Sequence, residues 1–107
     1  MTVEPFDDRT IRVALSGELD LRRAYTFDEE LRRIEAGHPQ VILLDLRRLD
    51  FLDSAGLGRV IACHRRARRD GRRVVIARAP GAVQRVLALA ALEEILEIVD
   101  RPAAALA

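Results

Sequence analysis

Val41-Ile42-Leu43-Leu44-Asp45-Leu46 is a short and almost unbroken apolar run. Such a run suits a strand buried on both faces, as in a parallel sheet covered by helices. Val74-Val75-Ile76-Ala77 repeats the pattern. Around these two runs, apolar residues recur at helical spacing. Ala24, Phe27, Leu31 and Ile34 mark a helix from Leu21 to Glu35, opened by Asp20 as N-cap and stopped by Gly37-His38-Pro39. Leu57, Val60, Ile61 and His64 mark a second, from Ser54 to Arg69, ended by Asp70-Gly71. Val83, Val86, Leu87 and Ala90 mark a third, with Pro80 in its first turn. Thr10 to Leu15 alternates instead, with Ile11, Val13 and Leu15 on one side, which reads as a half-buried strand. Val3 to Phe6 reads as a strand before it, with Asp7-Asp8-Arg9 as the turn, and Ile95 to Val99 as a last strand. The expected fold class is α/β: a mixed sheet of about four to five strands packed by about four helices, with parallel pairs and right-handed crossovers.

The chain has 107 residues, enough for one domain and too few for two. The expected core runs from about residue 10 to 99, with an Ala-rich tail at 100–107. Half of the residues are hydrophobic but only 4% are aromatic and Trp is absent, so the core is built from Leu, Ile, Val and Ala. No apolar run approaches the roughly 20 residues of a membrane-spanning helix. Met1 to Pro5 lacks the basic start and apolar stretch of a signal peptide, and the expected address is the cytoplasm. A single cysteine, Cys63, excludes an intramolecular disulfide and a cysteine-rich zinc site. The formal net charge of +1 argues against a general nucleic-acid binder. All 18 basic residues are Arg. Arg65, Arg66, Arg68, Arg69, Arg72 and Arg73 cluster, and read as the solvated face and end of a helix, because no aromatics interleave to stack bases.

Functional residues in such folds collect at the carboxyl ends of the strands. Arg47 to Asp53 reads as a loop with Leu49, Phe51 and Leu52 tucked in, and two segments qualify, Ser16 to Asp20 and Leu49 to Ser54. If their strands are parallel neighbours, both lie on one edge. Asp53-Ser54-Ala55-Gly56-Leu57-Gly58 follows the buried strand and opens a helix. Asp53 or Ser54 can cap its free backbone donors. Gly56 and Gly58 each cost roughly 1 kcal/mol against Ala in a helix, and close approach of another backbone or of a partner surface is the natural reason for them. A hydroxyl at an exposed helix N-terminus suits phosphorylation, because the partial positive end favours the dianion. On spacing alone, capping is the commoner role of such a serine. A phosphate-binding loop is excluded by the absence of Lys, and a nucleophile elbow by Leu52 two residues before Ser54. His64 lies ten residues along the same helix, about 15 Å away by helical rise, and is no base for Ser54. His38 is a loop residue, and neither His has a second ligand at metal spacing. Cys63 reads as a small buried hydrophobe. No enzyme, metal or cofactor is expected.

Three segments together resemble the STAS domain family, specifically the stand-alone bacterial anti-sigma factor antagonists. Leu15-Ser16-Gly17-Glu18-Leu19-Asp20 is similar to the family's SGELD turn. Val41 to Gly58 resembles its buried strand, loop and phosphorylation motif. Arg72 to Leu92 is similar to its next strand and helix. The resemblance implies a partner switch. The unphosphorylated antagonist binds an anti-sigma factor that is also a serine kinase of the histidine-kinase-like ATPase fold, and so frees a sigma factor. Phosphorylation of the serine that maps onto Ser54 ends the binding, and a PP2C-type phosphatase resets it. Gly17, Glu18, Asp20, Asp53, Ser54, Ala55, Gly56 and Leu57 map onto the binding surface, and a monomer is expected when free. A different implication of the same fold family is a STAS subunit of a lipid-transport ABC complex, binding its ATPase without phosphorylation. Two positions depart from the family's pattern. Ala91 stands where relatives often carry Gly, and Ala55 where many have a second hydroxyl.

Overall fold

Among the described residues, five strands form one sheet in the order of the sequence. In the computed structural model, which describes residues 1–78, 81–89 and 92–103, β1 (Thr2–Pro5) pairs antiparallel with β2 (Thr10–Leu19). From β2 onward, β3 (Val41–Leu52), β4 (Arg73–Ala77) and β5 (Glu97–Val99) are all parallel. Helix α1 (Leu21–Glu35) connects β2 to β3, and α2 (Ser54–Arg69) connects β3 to β4. Helix α3 (Ala82–Leu89) and a 3-10 turn at Leu92–Glu94 lie between β4 and β5. Sequential strand order means that each crossover advances the same way, and right-handed crossovers then all fall on one face. That face carries the main core, where Val13, Leu15, Ile42, Leu44, Leu46 and Ile76 meet Phe27, Leu31, Val60 and Leu87.

Val41 to Leu46 is buried throughout, as its unbroken apolar run suggested, but among the described residues the helices cover only one face of the sheet. The other face holds a smaller cluster of Val41, Leu43, Val75 and Ala77 with Phe6 and Val99, and no helix of the described residues joins it. Among the described residues there are three α-helices and the 3-10 turn, where about four helices were expected. The expected places of Pro80, Ala90 and Ala91 lie outside the described residues.

The two helices predicted from periodicity, Leu21 to Glu35 and Ser54 to Arg69, form with those bounds. The strands are longer than the alternation predicts. Strand β2 continues through Ser16-Gly17-Glu18 to Leu19, and β3 through Arg47 to Leu52, so both expected loops are strand ends. The cause is a pair of register shifts, between Ala14 and Ser16 and between Gly17 and Glu18. Such bulges keep the ladder while breaking the period of two on which the prediction rests. Gly17, at φ +74°, supplies a backbone conformation that side chains disfavour. Leu49 and Leu52 are buried as expected, but Phe51 is 48% exposed.

The arginine cluster is likewise divided. Arg65, Arg68 and Arg69 are exposed, but Arg66 and Arg72 are largely buried beneath α1. The Arg66 guanidinium donates to both Glu35 carboxylate oxygens at 2.7 Å, so it joins α2 to the end of α1. Burial alone would raise the Asp28 carboxyl, but Arg32, Arg66 and Arg59 outweigh it and hold it below its usual range. Beside them Cys63 is fully buried, and burial, with the Glu35 charge, pushes its thiol up to about 12. It is an inert core residue, as its helical position suggested.

On the open face Asp45, 3% exposed, is bracketed by Arg12 and Arg47. Burial opposes its charge, but the hydrogen bonds from Arg47 and Arg12 prevail and lower its pKa to about 2. A carboxylate lowered in the folded state stabilises the fold above its unfolded value near 3.8 and loses that contribution as pH falls toward 2. Asp45→Asn is therefore destabilising at pH 7. The gap between it and the parent in urea unfolding should narrow below pH 4 and close near pH 2, whereas a gap independent of pH would contradict the ion-pair account.

Candidate functional site

The parallel pairing of β2 with β3 sets Glu18 opposite Phe51 and Leu19 opposite Leu52, so the two candidate segments end side by side. One carboxylate ties the elements that leave these ends. Asp53 is the N-cap of α2, and its Oδ1 accepts from the Gly56 amide at 2.9 Å. Its Oδ2 accepts from the Leu21 amide, the first residue of α1, at 3.0 Å. Its own amide donates to the Leu19 carbonyl at 3.3 Å. Asp20 caps α1, accepting from the amides of Arg22 and Arg23 at 3.1 and 3.3 Å. Burial opposes the Asp20 charge, but the hydrogen bonds and charge of Arg22, with the Arg23 amide, outweigh it and lower its pKa.

Gly56 is the closest approach between the two ends. A Cβ there would lie 2.4 Å from the Leu19 carbonyl oxygen and 2.8 Å from Leu19 Cγ. The chain's own backbone is therefore the reason for this glycine. Gly58 differs, because a Cβ there would meet nothing within 4 Å.

The capping question raised by the motif has a definite answer: Asp53 caps α2 and Ser54 is its first helical residue. Ser54 is exposed, and its hydroxyl makes no hydrogen bond to any described residue. The first amides of a helix have no intrahelical acceptor, so positive partial charge lies beside that hydroxyl. Ala55 and Leu57 are half-buried, Gly17 is half-buried and Glu18 is exposed. All eight residues singled out from the sequence thus lie on or beside one edge of the molecule.

Sequence reasoning missed two features of this edge. Arg23 folds back from α1 and donates through Nη1 to the Ser16 carbonyl at 3.0 Å and to the Glu18 carbonyl. It satisfies the acceptors of the bulged strand end, and nothing in a single sequence marks a helical Arg for that task. Leu21, Tyr25 and Phe51 are 74%, 65% and 48% exposed, an apolar set around the acidic caps. Their signal was present in the sequence, since Leu21 and Tyr25 fall off the buried helical stripe. His64 is buried in α2 and is not brought to Ser54. Among the described residues no group of three His, Cys, Asp or Glu can hold a metal ion, and no helix is long and apolar enough to cross a membrane.

The two glycines separate in stability measurements. Gly56→Ala forces backbone against backbone and should lose about 1–3 kcal/mol in urea unfolding. Gly58→Ala should gain up to about 1 kcal/mol, as an exposed helical position does. Equal effects of the two would contradict the close approach at Leu19.

The family model described as "Mlab, STAS domain" matches residues 3–99. The anti-sigma F factor antagonist of Paenibacillus polymyxa is 32% identical over 98 residues, covering 88% of this chain and 81% of that protein. The crystal structure of an anti-sigma factor antagonist from Mycobacterium paratuberculosis superposes with a TM-score of 0.84 at 28% identity, over 98% of this chain and 88% of that one. The phosphorylated form of SpoIIAA, a Bacillus cell fate determinant, has the same fold at 22% identity, with a TM-score of 0.74 over 96% of this chain and 94% of that one. The sheet order, the capped strand ends and these likenesses agree: the chain belongs to the STAS domain family, with anti-sigma factor antagonists among its relatives.

Proposed function

We propose that this chain is a cytoplasmic, non-enzymatic anti-sigma factor antagonist whose binding is switched off by phosphorylation of Ser54. The observation that carries the reading is the division of labour at the head of α2. Asp53 does the capping, and the Ser54 hydroxyl stands exposed and uncommitted. The partner is an anti-sigma factor that is also a serine kinase of ATPase fold, and a PP2C-type phosphatase restores the free hydroxyl. The binding surface comprises Gly17, Glu18, Asp20 and Asp53 to Leu57, with Leu21, Tyr25 and Phe51 as apolar anchors. Binding displaces the sigma factor.

The physical basis of the switch is charge placed in a close contact. Ala55 and Gly58 let a partner approach the helix end closely. A phosphate adds about −1.5 to −2 charge there. In the free protein the helix end favours that charge by about 0.3–1 kcal/mol, so the domain stays folded. In the complex the same charge is buried without a counter-charge, which costs roughly 3–5 kcal/mol. Since 1.4 kcal/mol is about tenfold in affinity, the loss is about several hundredfold.

Ser54→Ala and Ser54→Asp serve as baits in a lysate of the native organism, with retained proteins identified by mass spectrometry and their affinities measured by titration. The expected outcome is an ATPase-fold kinase held by the Ala variant and bound about several hundredfold more weakly by the Asp variant. Equal affinities of the two variants would sink the switch. Transporter subunits captured equally by both would support the lipid-transport role in its place.

A further inference from the structure

The open face of the sheet carries a depression on the side away from the helices. It measures about 500 Å³ and lies over the ends of β2 and β3, lined by Thr2, Arg12, Ser16, Asp45, Arg47 and Arg48 among others. That volume falls within the range of small-molecule sites, about 300–1,000 Å³. Its floor is preorganised. Asp45 Oδ2 accepts from Arg12 Nε at 3.0 Å and Nη2 at 2.7 Å. Asp45 also accepts from Arg47, Oδ1 from Nε at 2.9 Å and Oδ2 from Nη2 at 2.8 Å. One buried carboxylate thus holds two guanidiniums, and the rest of the Arg12 fork is tied by Glu4.

Neighbouring residues of a strand normally face opposite sides of the sheet. Here the pairs Ala14–Asp45 and Ser16–Arg48 are two residues apart on β2 and three apart on β3. The extra residue turns both Arg47 and Arg48 into the same depression. The donors left over are Arg47 Nη1, the whole Arg48 guanidinium and the Ser16 hydroxyl, none of which is committed to a described residue. Asp45 and Glu4 are already engaged by Arg12 and Arg47, whereas these remaining donors are not.

We propose that this depression binds the phosphate group of a small molecule, with Arg48, Arg47 and the Ser16 hydroxyl as its donors. Guanidinium forks match the oxygen spacing of phosphate, and charge-assisted bonds of this kind are the strong ones. The site is distinct from the Ser54 edge, yet Ser16 directly precedes Gly17 and Glu18 on β2.

Inorganic phosphate is the probe, titrated into the full chain at constant ionic strength with chloride as the reference anion, and followed by amide NMR shifts. The expected result is saturable shifts at Ser16 and Arg48 that chloride does not produce. Arg48→Ala should weaken binding at least about tenfold with an unchanged melting temperature, and Arg48→Lys should recover part of it. Arg69→Ala, which removes an exposed cation elsewhere, should bind as the parent does. Shifts that never saturate, or equal weakening by Arg48→Ala and Arg69→Ala, would overturn the site, since both are the behaviour of a diffuse positive surface.

Discussion

The Asp53 carboxylate holds two helices and a strand end in one place. One oxygen receives the Gly56 amide and the other the Leu21 amide. The Asp53 amide returns to the Leu19 carbonyl, against which Gly56 is packed too closely for any side chain. The head of α2, the start of α1 and the end of β2 are therefore a single rigid corner. Parallel pairing of β2 and β3 brings these parts together, and the capping bonds fix their mutual positions. The proposed switch depends on this corner, because it leaves Ser54 with no structural duty.

Freedom from structural duty is what a modifiable residue needs. Were Ser54 the cap, a phosphate would remove a cap worth about 1 kcal/mol and disturb the helix end. With Asp53 as cap, the added charge meets free helix amides and stays in solvent until a partner covers it. The same edge combines exposed apolar side chains with satisfied carboxylates. Such a combination favours a tight complex and punishes an unpaired charge within it. Arg23 has a supporting part, since its bonds to the Ser16 and Glu18 carbonyls hold the bulged strand end in shape.

Much of this was legible in the residues. The apolar stripes placed α1 and α2, because helical periodicity survives in both helices from cap to cap. Asp20 announced itself as a cap by type and position, and Gly56 announced a close approach by its cost in a helix. The ends of β2 and β3 were not legible, because two register shifts erase the alternation that marks a strand. Phe51 was misjudged for the same reason. The shared use of Asp53 by two helices was invisible as well, since Leu21 and Asp53 are 32 residues apart. The Glu35–Arg66 pair was hidden by its neighbours, because Arg66 sits in a run of arginines that otherwise faces solvent.

The central claim is that the corner around Asp53 accepts a dianion on Ser54 without loosening. It is tested most directly by installing phosphoserine at position 54 and comparing amide NMR spectra and melting temperatures with the unmodified chain. The account predicts shift changes confined to Gly17–Arg23 and Phe51–Gly58, with the Leu21 and Gly56 amides still hydrogen-bonded and the melting temperature nearly unchanged. Shifts spread through β3 and β4, or rapid hydrogen exchange at the Leu21 and Gly56 amides, would show that Ser54 is part of the structural clamp and would contradict the account.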